Sequence, residues 1–404
     1  MDKNDSLKDE TRVSVKVIAY SMCIVFLLSF IEIFSYLVIT YEFQFKKLLN
    51  KRPNLGLDIY EIPDYDYLNH WRLKSGSSFT LKELIQSKKE SGRVLGARLL
   101  EKTARQYNIS LNEVILQINK KGFKGPDFDE SQSNKRILTV GDSCTFGSLF
   151  DKYCYPRALE NKINQFNKNV EVINAGVEGY SPFHVLNRIE ELKSLKPHIT
   201  TIYIGWNALY DNKTIHALNN HLNSFILLDR LSKKIKTVFG QERTSLYEYN
   251  KTKFPNKKDP LLDKVEDYTP WFINDLMLII TEFKNIGSKV VLITLPGLYS
   301  MNRIPDDLTL KKGHLPTYTN NPYIIAKLTE QYNKNLKHLA ELFDIELVDL
   351  AKWCESNLLP VESYFSDSVH LSEEGQRRTG VFLANQLISL FPNFTKMDKS
   401  FDKR

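Results

Sequence analysis

Cysteine is scarce in this chain. Four occur among 404 residues, too few for a disulfide-stapled scaffold. Cys23 lies in an apolar N-terminal run, and Cys144, Cys154 and Cys354 form no Cys-x-x-Cys pair. That spacing argues against a zinc site, and no metal is expected. Cys144 adjoins Ser143 and reads as a small apolar packing residue. A stripe of Lys and Arg alternating with aromatics is also missing. The net charge is +7, but the lysines are scattered among acids, which argues against a nucleic-acid groove. Phosphate-cradling loops are absent too. Gly141 to Gly147 lacks the Gly-x-Gly start of a dinucleotide turn, and Ser148 stands where a phosphate loop carries Lys. The composition is otherwise ordinary, with 42% hydrophobic and 25% charged residues. This is a globular chain with room for one large domain and additions, or two smaller ones.

Val17 to Tyr41 is almost wholly apolar. About 20 such residues span a bilayer as a helix. Glu32 interrupts the run, nearer the far interface than the middle, where a carboxylate reaches headgroups at reduced cost. A cleaved signal peptide would have a shorter apolar core followed by small residues, and bulky Ile33-Phe34-Ser35-Tyr36-Leu37 follows instead. An interfacial helix would need a polar face. The run therefore reads as a single-pass anchor. Lys3, Lys8, Arg12 and Lys16 flank one side and Lys46, Lys47, Lys51 and Arg52 the other, so loop charge does not set the orientation. The expectation is a cytoplasmic tail and an extracytoplasmic main domain.

Four regions follow: tail and anchor (1–45), a polar lead-in packing on the main domain (46–130), the main domain (131–395) and a polar tail (396–404). The lead-in ends in the Gly- and Pro-containing loop Gly122-Phe123-Lys124-Gly125-Pro126. Beyond it, strand-like runs at Arg136–Val140, Val170–Asn174, Thr200–Ile204, Lys289–Thr294 and Ile345–Leu350 alternate with helical stretches. Pro156 opens one such stretch, and Asp275 to Ile286 forms another that ends at Gly287. This alternation predicts a three-layer α/β/α domain with a five-stranded parallel sheet. An insertion at about 210–270 carries Tyr210, Phe225, Tyr247, Tyr249, Tyr268 and Trp271. A second long loop runs from Tyr299 to Asn321. Long loops at the ligand edge shape a site, although such aromatics also form small cores of their own.

Ligands bind beyond the carboxyl ends of parallel strands. Gly141-Asp142-Ser143 follows the first strand, Asn174-Ala175-Gly176 the second and Gly205-Trp206-Asn207 the third. Asp367-Ser368-Val369-His370 comes far downstream. A hydroxyl, an imidazole and a carboxylate are what activated-serine chemistry requires. Taken alone, Ser143 reads as a turn or cap residue, Asp367 and Asn207 as caps, and His370 as one of 8 ordinary histidines. Their order at successive strand ends carries more weight than any single motif. Asn-x-Ser/Thr triplets at Asn108, Asn212, Asn250 and Asn393 carry little weight.

These blocks resemble the SGNH/GDSL hydrolase superfamily over roughly residues 119–390, including a GFRGP-like loop at Gly122–Pro126. The resemblance implies a flavodoxin-like SGNH fold and a hydrolase acting on ester bonds. It implies Ser143 as nucleophile, with Asp367 and His370 completing the triad. Ser143, Gly176 and Asn207 would supply the oxyanion hole, and no cofactor is needed. The expected partner is an ester substrate, lipid or acylated carbohydrate. The expected function is a serine esterase, against an O-acyltransferase acting on a surface glycan or a non-catalytic binding protein on the same scaffold. One departure stands out. Ala208 replaces the acidic residue that usually follows the third-block asparagine, which bears on local loop support.

Overall fold

A computed structural model of the protein describes residues 3–40, 59–61, 71–90, 94–129, 131, 134–166, 169–219, 247–248 and 252–395, with scattered positions between 222 and 231. Tyr249, the Lys46–Arg52 flank and the tail from 396 lie outside the described residues. The chain divides into two compact units, 1–51 with 219–244, and 52–218 with 245–404.

The first unit is built on α1 (Lys3–Thr40). Within it, the 23-residue stretch Lys16–Val38 reaches a mean hydropathy of 2.3 in its most apolar window, and Ser35 is its one buried residue. At ~1.5 Å per residue such a helix spans about 34 Å, enough to cross a hydrocarbon core. It is the one helix among the described residues with this length and character. Glu32, the exception in the run, accepts the Ser224 backbone N–H at 3.1 Å.

The second unit holds the sheet. Its strands are β1 (Lys135–Gly141), β2 (Val170–Gly176), β3 (Ile199–Tyr203), β4 (Lys289–Ile293) and β5 (Glu346–Val348). They lie in the order β5-β4-β3-β1-β2 and every pairing is parallel. All five expected strands are present, with ends shifted by up to two residues. Their apolar runs are covered on both faces. Ile137, Leu138 and Val140 of β1 are each 0% exposed, and full burial of such a side chain contributes roughly 1.5–3 kcal/mol. The flanking helices include α2 (Ser143–Phe146), α3 (Tyr155–Ile163, with Pro156 in its first turn), α4 (Ile273–Asn285), α5 (Pro322–Phe343) and α6 (Glu373–Leu390). The fold is α/β with three layers, as the alternating pattern implied.

Part of the lead-in belongs to the same compact unit. Ser78–Thr80 pairs with Val114–Gln117, and two helices, Leu81–Glu90 and Val94–Gln106, lie between them. The Gly122–Pro126 loop bridges to β2 through Lys124 and Asn174. Lys124 is buried, an unusual place for an ammonium. Its Nζ donates to the carbonyls of Phe146 and Ser148 and lies 3.5 Å from Asp151. The lead-in thus grips the turn that follows α2. It also meets the loop after β2. Tyr60 Oη donates to Glu178 Oε2 at 2.5 Å, Trp71 Nε1 to the Glu178 carbonyl at 3.0 Å, and Tyr180 Oη to the Trp71 carbonyl at 2.7 Å.

Candidate active site

Strand β1 ends at Gly141 and the chain turns at once into α2. Asp142 makes the turn: its Oδ1 accepts the Cys144 N–H at 2.9 Å, and its carbonyl accepts the Thr145 and Phe146 N–H groups. A short polar side chain at the N-cap meets donors that a strand end would leave bare. Ser143 is thereby the first residue of a helical turn at the carboxyl edge of the sheet, half-buried.

The loop before α6 brings the other two groups. Phe365 and Leu371 bridge, and Ser366 N–H donates to the His370 carbonyl at 2.7 Å, closing a tight loop. Asp367 Oδ1 accepts the N–H groups of Val369 and His370, each at 2.9 Å. Its Oδ2 lies 2.7 Å from His370 Nδ1, and His370 Nε2 lies 2.7 Å from Ser143 Oγ. The fold therefore brings Ser143, His370 and Asp367 into one continuous chain of contacts.

Electrostatics follow burial and charge. Burial works to raise the Asp367 carboxyl, yet the charge of His370 and hydrogen bonding from two imidazoles hold it well below the usual range. Burial works to lower His370, but the Asp367 carboxylate beside it outweighs this and lifts it to about 9, with Asp142 and Glu178 adding to the pull. The His370 side chain remains 36% exposed, so solvent and a ligand reach it. Asp142 is fully buried; desolvation pushes it up to about 6, against the Cys144 N–H and the His370 charge.

Asn207 is the second residue of a short helix (Trp206–Tyr210) after β3 and is half-buried. Its Nδ2 donates one hydrogen to the Tyr180 carbonyl at 2.9 Å, which orients the amide and leaves its second hydrogen free to point elsewhere. Buried Ala208 supports this turn through its carbonyl, which accepts the Thr214 hydroxyl at 2.9 Å and the Asp211 N–H at 3.3 Å.

Gly176 does not fit the oxyanion role expected of it. Strand β2 continues to Gly176, paired with Gly141, and the residue is buried. Its N–H donates to Asn174 Oδ1 at 3.0 Å. A Cβ there would lie 2.1 Å from Phe146 N, so glycine is required to let α2 sit on the sheet. Three residues on, Gly179 is exposed with φ +81°, directly before the carbonyl that holds Asn207.

Sequence reasoning missed several supporting side chains. Gln376 of α6 accepts the Tyr155 N–H at 2.9 Å and donates to the Cys144 carbonyl at 3.3 Å. Cys144, buried as its packing reading implied, places Sγ 3.4 Å from the Val369 carbonyl. Burial raises its thiol well above the ordinary value, which suits an inert thiol. His314 was not singled out at all, yet its Nε2 lies 3.6 Å from Asp367 Oδ1. Ligating atoms of His314, Asp367 and His370 fall within 4.8 Å of one another, a donor set of metal-binding type. Two of these three are already engaged in the contact chain to Ser143.

Residues 139–378 match the model of the GDSL-like lipase/acylhydrolase family. The chain belongs to this family of SGNH-type hydrolases, which act on ester bonds. Among curated proteins none matches. Solved structures of similar fold include a lipolytic protein of the G-D-S-L family from Desulfitobacterium hafniense, 14% identical, with TM-score 0.37, covering 62% of this chain and 99% of its own. A second is the lipase/acylhydrolase from Enterococcus faecalis, 18% identical, with TM-score 0.36, covering 63% and 96%. A third is the acetylxylan esterase Axe2 from Geobacillus stearothermophilus, 16% identical, with TM-score 0.39, covering 66% and 98%.

Proposed function

We propose that the protein is a serine esterase that works through an acyl-enzyme. The contact chain Ser143 Oγ to His370 Nε2 (2.7 Å) and His370 Nδ1 to Asp367 Oδ2 (2.7 Å) carries this reading. A serine hydroxyl needs a base within hydrogen-bond reach, and that base needs an orienting partner. In the reading, His370 takes the Ser143 proton as Oγ bonds to the ester carbonyl carbon. The imidazolium is stabilised by Asp367. As the tetrahedral species collapses, the C–O bond to the alcohol breaks and His370 returns the proton to the departing oxygen. Water then repeats the sequence on the acyl-enzyme, releasing the acid and regenerating Ser143.

The developing oxyanion would meet the Ser143 N–H and the second Asn207 amide hydrogen. Gly179 replaces Gly176 as the glycine assigned to this role. It is exposed, lies beside the Asn207-holding carbonyl, and shows no hydrogen bond from its N–H among the described residues. No step in this scheme calls for a cofactor. α1 is read as a bilayer-spanning anchor with the catalytic unit on the extracytoplasmic side; digestion of that unit by protease added to intact cells supports this, and protection overturns it.

The activity test uses the full chain in detergent with p-nitrophenyl acetate and a fluorophosphonate probe. Wild-type protein is expected to hydrolyse the ester and to be labelled, and Ser143→Ala to do neither. Equal rates in both proteins would overturn the assignment. Adding a sugar acceptor and analysing products separates hydrolysis, which yields only free acid, from acyl transfer.

A further inference from the structure

We infer that His314 is a positioning residue for the Asp367–His370 pair, an inference that rests on the esterase reading above. The long loop after β4 delivers this histidine to the second oxygen of the triad carboxylate. His314 is 2% exposed and Asp367 8%. The carboxylate therefore sits in near-dry surroundings between two imidazoles, His370 Nδ1 at 2.7 Å from Oδ2 and His314 Nε2 at 3.6 Å from Oδ1. A separation of 3.6 Å is longer than a full hydrogen bond. At low local dielectric, an N–H dipole at that distance still favours the ionised carboxylate and resists its rotation. The tautomer required carries its proton on Nε2.

The placement of His314 is over-determined. Its backbone N–H donates to Ser368 Oγ at 2.7 Å, and the Ser368 hydroxyl donates back to the His314 carbonyl at 2.5 Å. Ser368 is the neighbour of Asp367, so this two-bond clasp couples the loop to the triad acid itself. Tyr210 Oη donates to the same His314 carbonyl at 3.3 Å, and its ring stands edge-on to the imidazole at 5.2 Å. Gly313 leaves the room: a Cβ there would lie 2.1 Å from Tyr299 Oη. A histidine retained only to fill space would not need its main chain fastened from both sides to the residue beside the catalytic acid.

The chemistry asked of it is modest. Oδ1 is already held by two backbone N–H groups. His314 adds a third polar contact at Oδ1, beside the His370 imidazole, so the carboxylate plane stays aimed at His370 while the proton moves. Loss of that contact should slow the chemical step and leave substrate binding alone.

The test compares wild-type, His314→Gln, His314→Leu and Ser368→Ala as full chains in detergent. Readouts are kcat and KM for p-nitrophenyl acetate, the rate of fluorophosphonate labelling and a thermal melt. His314→Leu is expected to lose about tenfold in kcat, the equivalent of about 1.4 kcal/mol, with KM within twofold and labelling slowed in parallel. His314→Gln keeps an N–H donor at similar reach and is expected to recover to within about threefold of wild type. Ser368→Ala, which opens the clasp, is expected to fall between them. Wild-type kcat in His314→Leu, equal losses in Gln and Leu, or a loss confined to KM would each overturn the inference. If His314→Leu does not fold, the Gln and Ser368→Ala pair decides: full activity in Ser368→Ala, or a collapse in Gln, overturns it. A wild-type protein that neither hydrolyses the ester nor takes the probe defeats the esterase reading itself, and this inference with it.

Discussion

Replacing Asp367 by Asn separates the alignment of His370 from its charge. The fold should survive, because Asn Oδ1 can still accept the Val369 and His370 N–H groups that Asp367 Oδ1 accepts at 2.9 Å. The amide nitrogen then faces His370 Nδ1 across a gap of 2.7 Å. Two donors cannot share that gap, so the imidazole turns to the tautomer protonated on Nε2 and can no longer take the Ser143 proton. The same exchange in a well-studied serine protease costs about 10⁴-fold in kcat, and a loss of that order is expected. A second effect concerns pH. The base acts only when neutral, so kcat/KM rises with pH through the His370 pKa. Asp367 lifts that pKa to about 9, and at 36% exposure solvent screens part of the lift. The wild-type acid limb should therefore fall between the ordinary 6.5 and about 9. Without the carboxylate its upward pull is lost, and the acid limb of the residual activity should move to lower pH. The assay is p-nitrophenyl acetate hydrolysis from pH 5.5 to 10, with a melt at each pH. A variant that keeps a tenth of wild-type kcat, or whose acid limb does not move, would refute the reasoning.

Four further outcomes are expected. Asp142→Asn removes a charge that also lifts His370, so the acid limb of kcat/KM should shift to lower pH; an upward shift would contradict the assignment. The same variant has a stability signature. A carboxyl raised from 3.8 to about 6 contributes stability that is complete below 3.8 and lost as pH climbs through 6, with a ceiling of about 3 kcal/mol. Wild-type stability should fall over that window relative to the variant, as read by urea melts at pH 4 and 7. Asn207→Ala should lower kcat by about a hundredfold with KM little changed; unchanged kcat would show that its amide does not face the reacting carbonyl. Gly176→Ala forces a methyl against backbone 2.1 Å away and should cost about 3 kcal/mol of stability; an unaltered melt would contradict the packing account.

Much of the sheet was legible because its strands are short runs rich in β-branched residues, several of them followed closely by Gly or Asp. Covering both faces of a parallel sheet needs continuous apolar stretches, and such stretches stand out between polar helices. The proposed triad was legible for a different reason: Asp367 and His370 are close in sequence, and Ser143 lies two residues beyond the first strand of the series. The engagement of the Gly176 N–H was not legible, because two glycines lie three residues apart and the sequence does not mark where the strand stops. Only the ladder register shows that the strand runs on through Gly176 and turns its N–H toward Asn174. His314 carried no signal, being one histidine in an irregular loop whose relation to residue 367 exists only after folding. Gln376 was equally silent, since a polar residue in a helix is ordinarily solvated. Lys124 lay inside a noted loop, but nothing local revealed that its ammonium would be buried against carbonyls.

Helix α6 has a bearing on how the protein comes into being. Through Gln376 it grips the turn that bears Ser143, the proposed nucleophile, and the His370 imidazole lies just ahead of its first residue. The serine and the histidine are separated by 227 positions. A polypeptide still under synthesis thus displays its hydroxyl long before any proton acceptor exists for it. Fragments that stop short of residue 370 should be inert whatever part of the sheet they assemble, so premature termination leaves no rogue hydrolase behind.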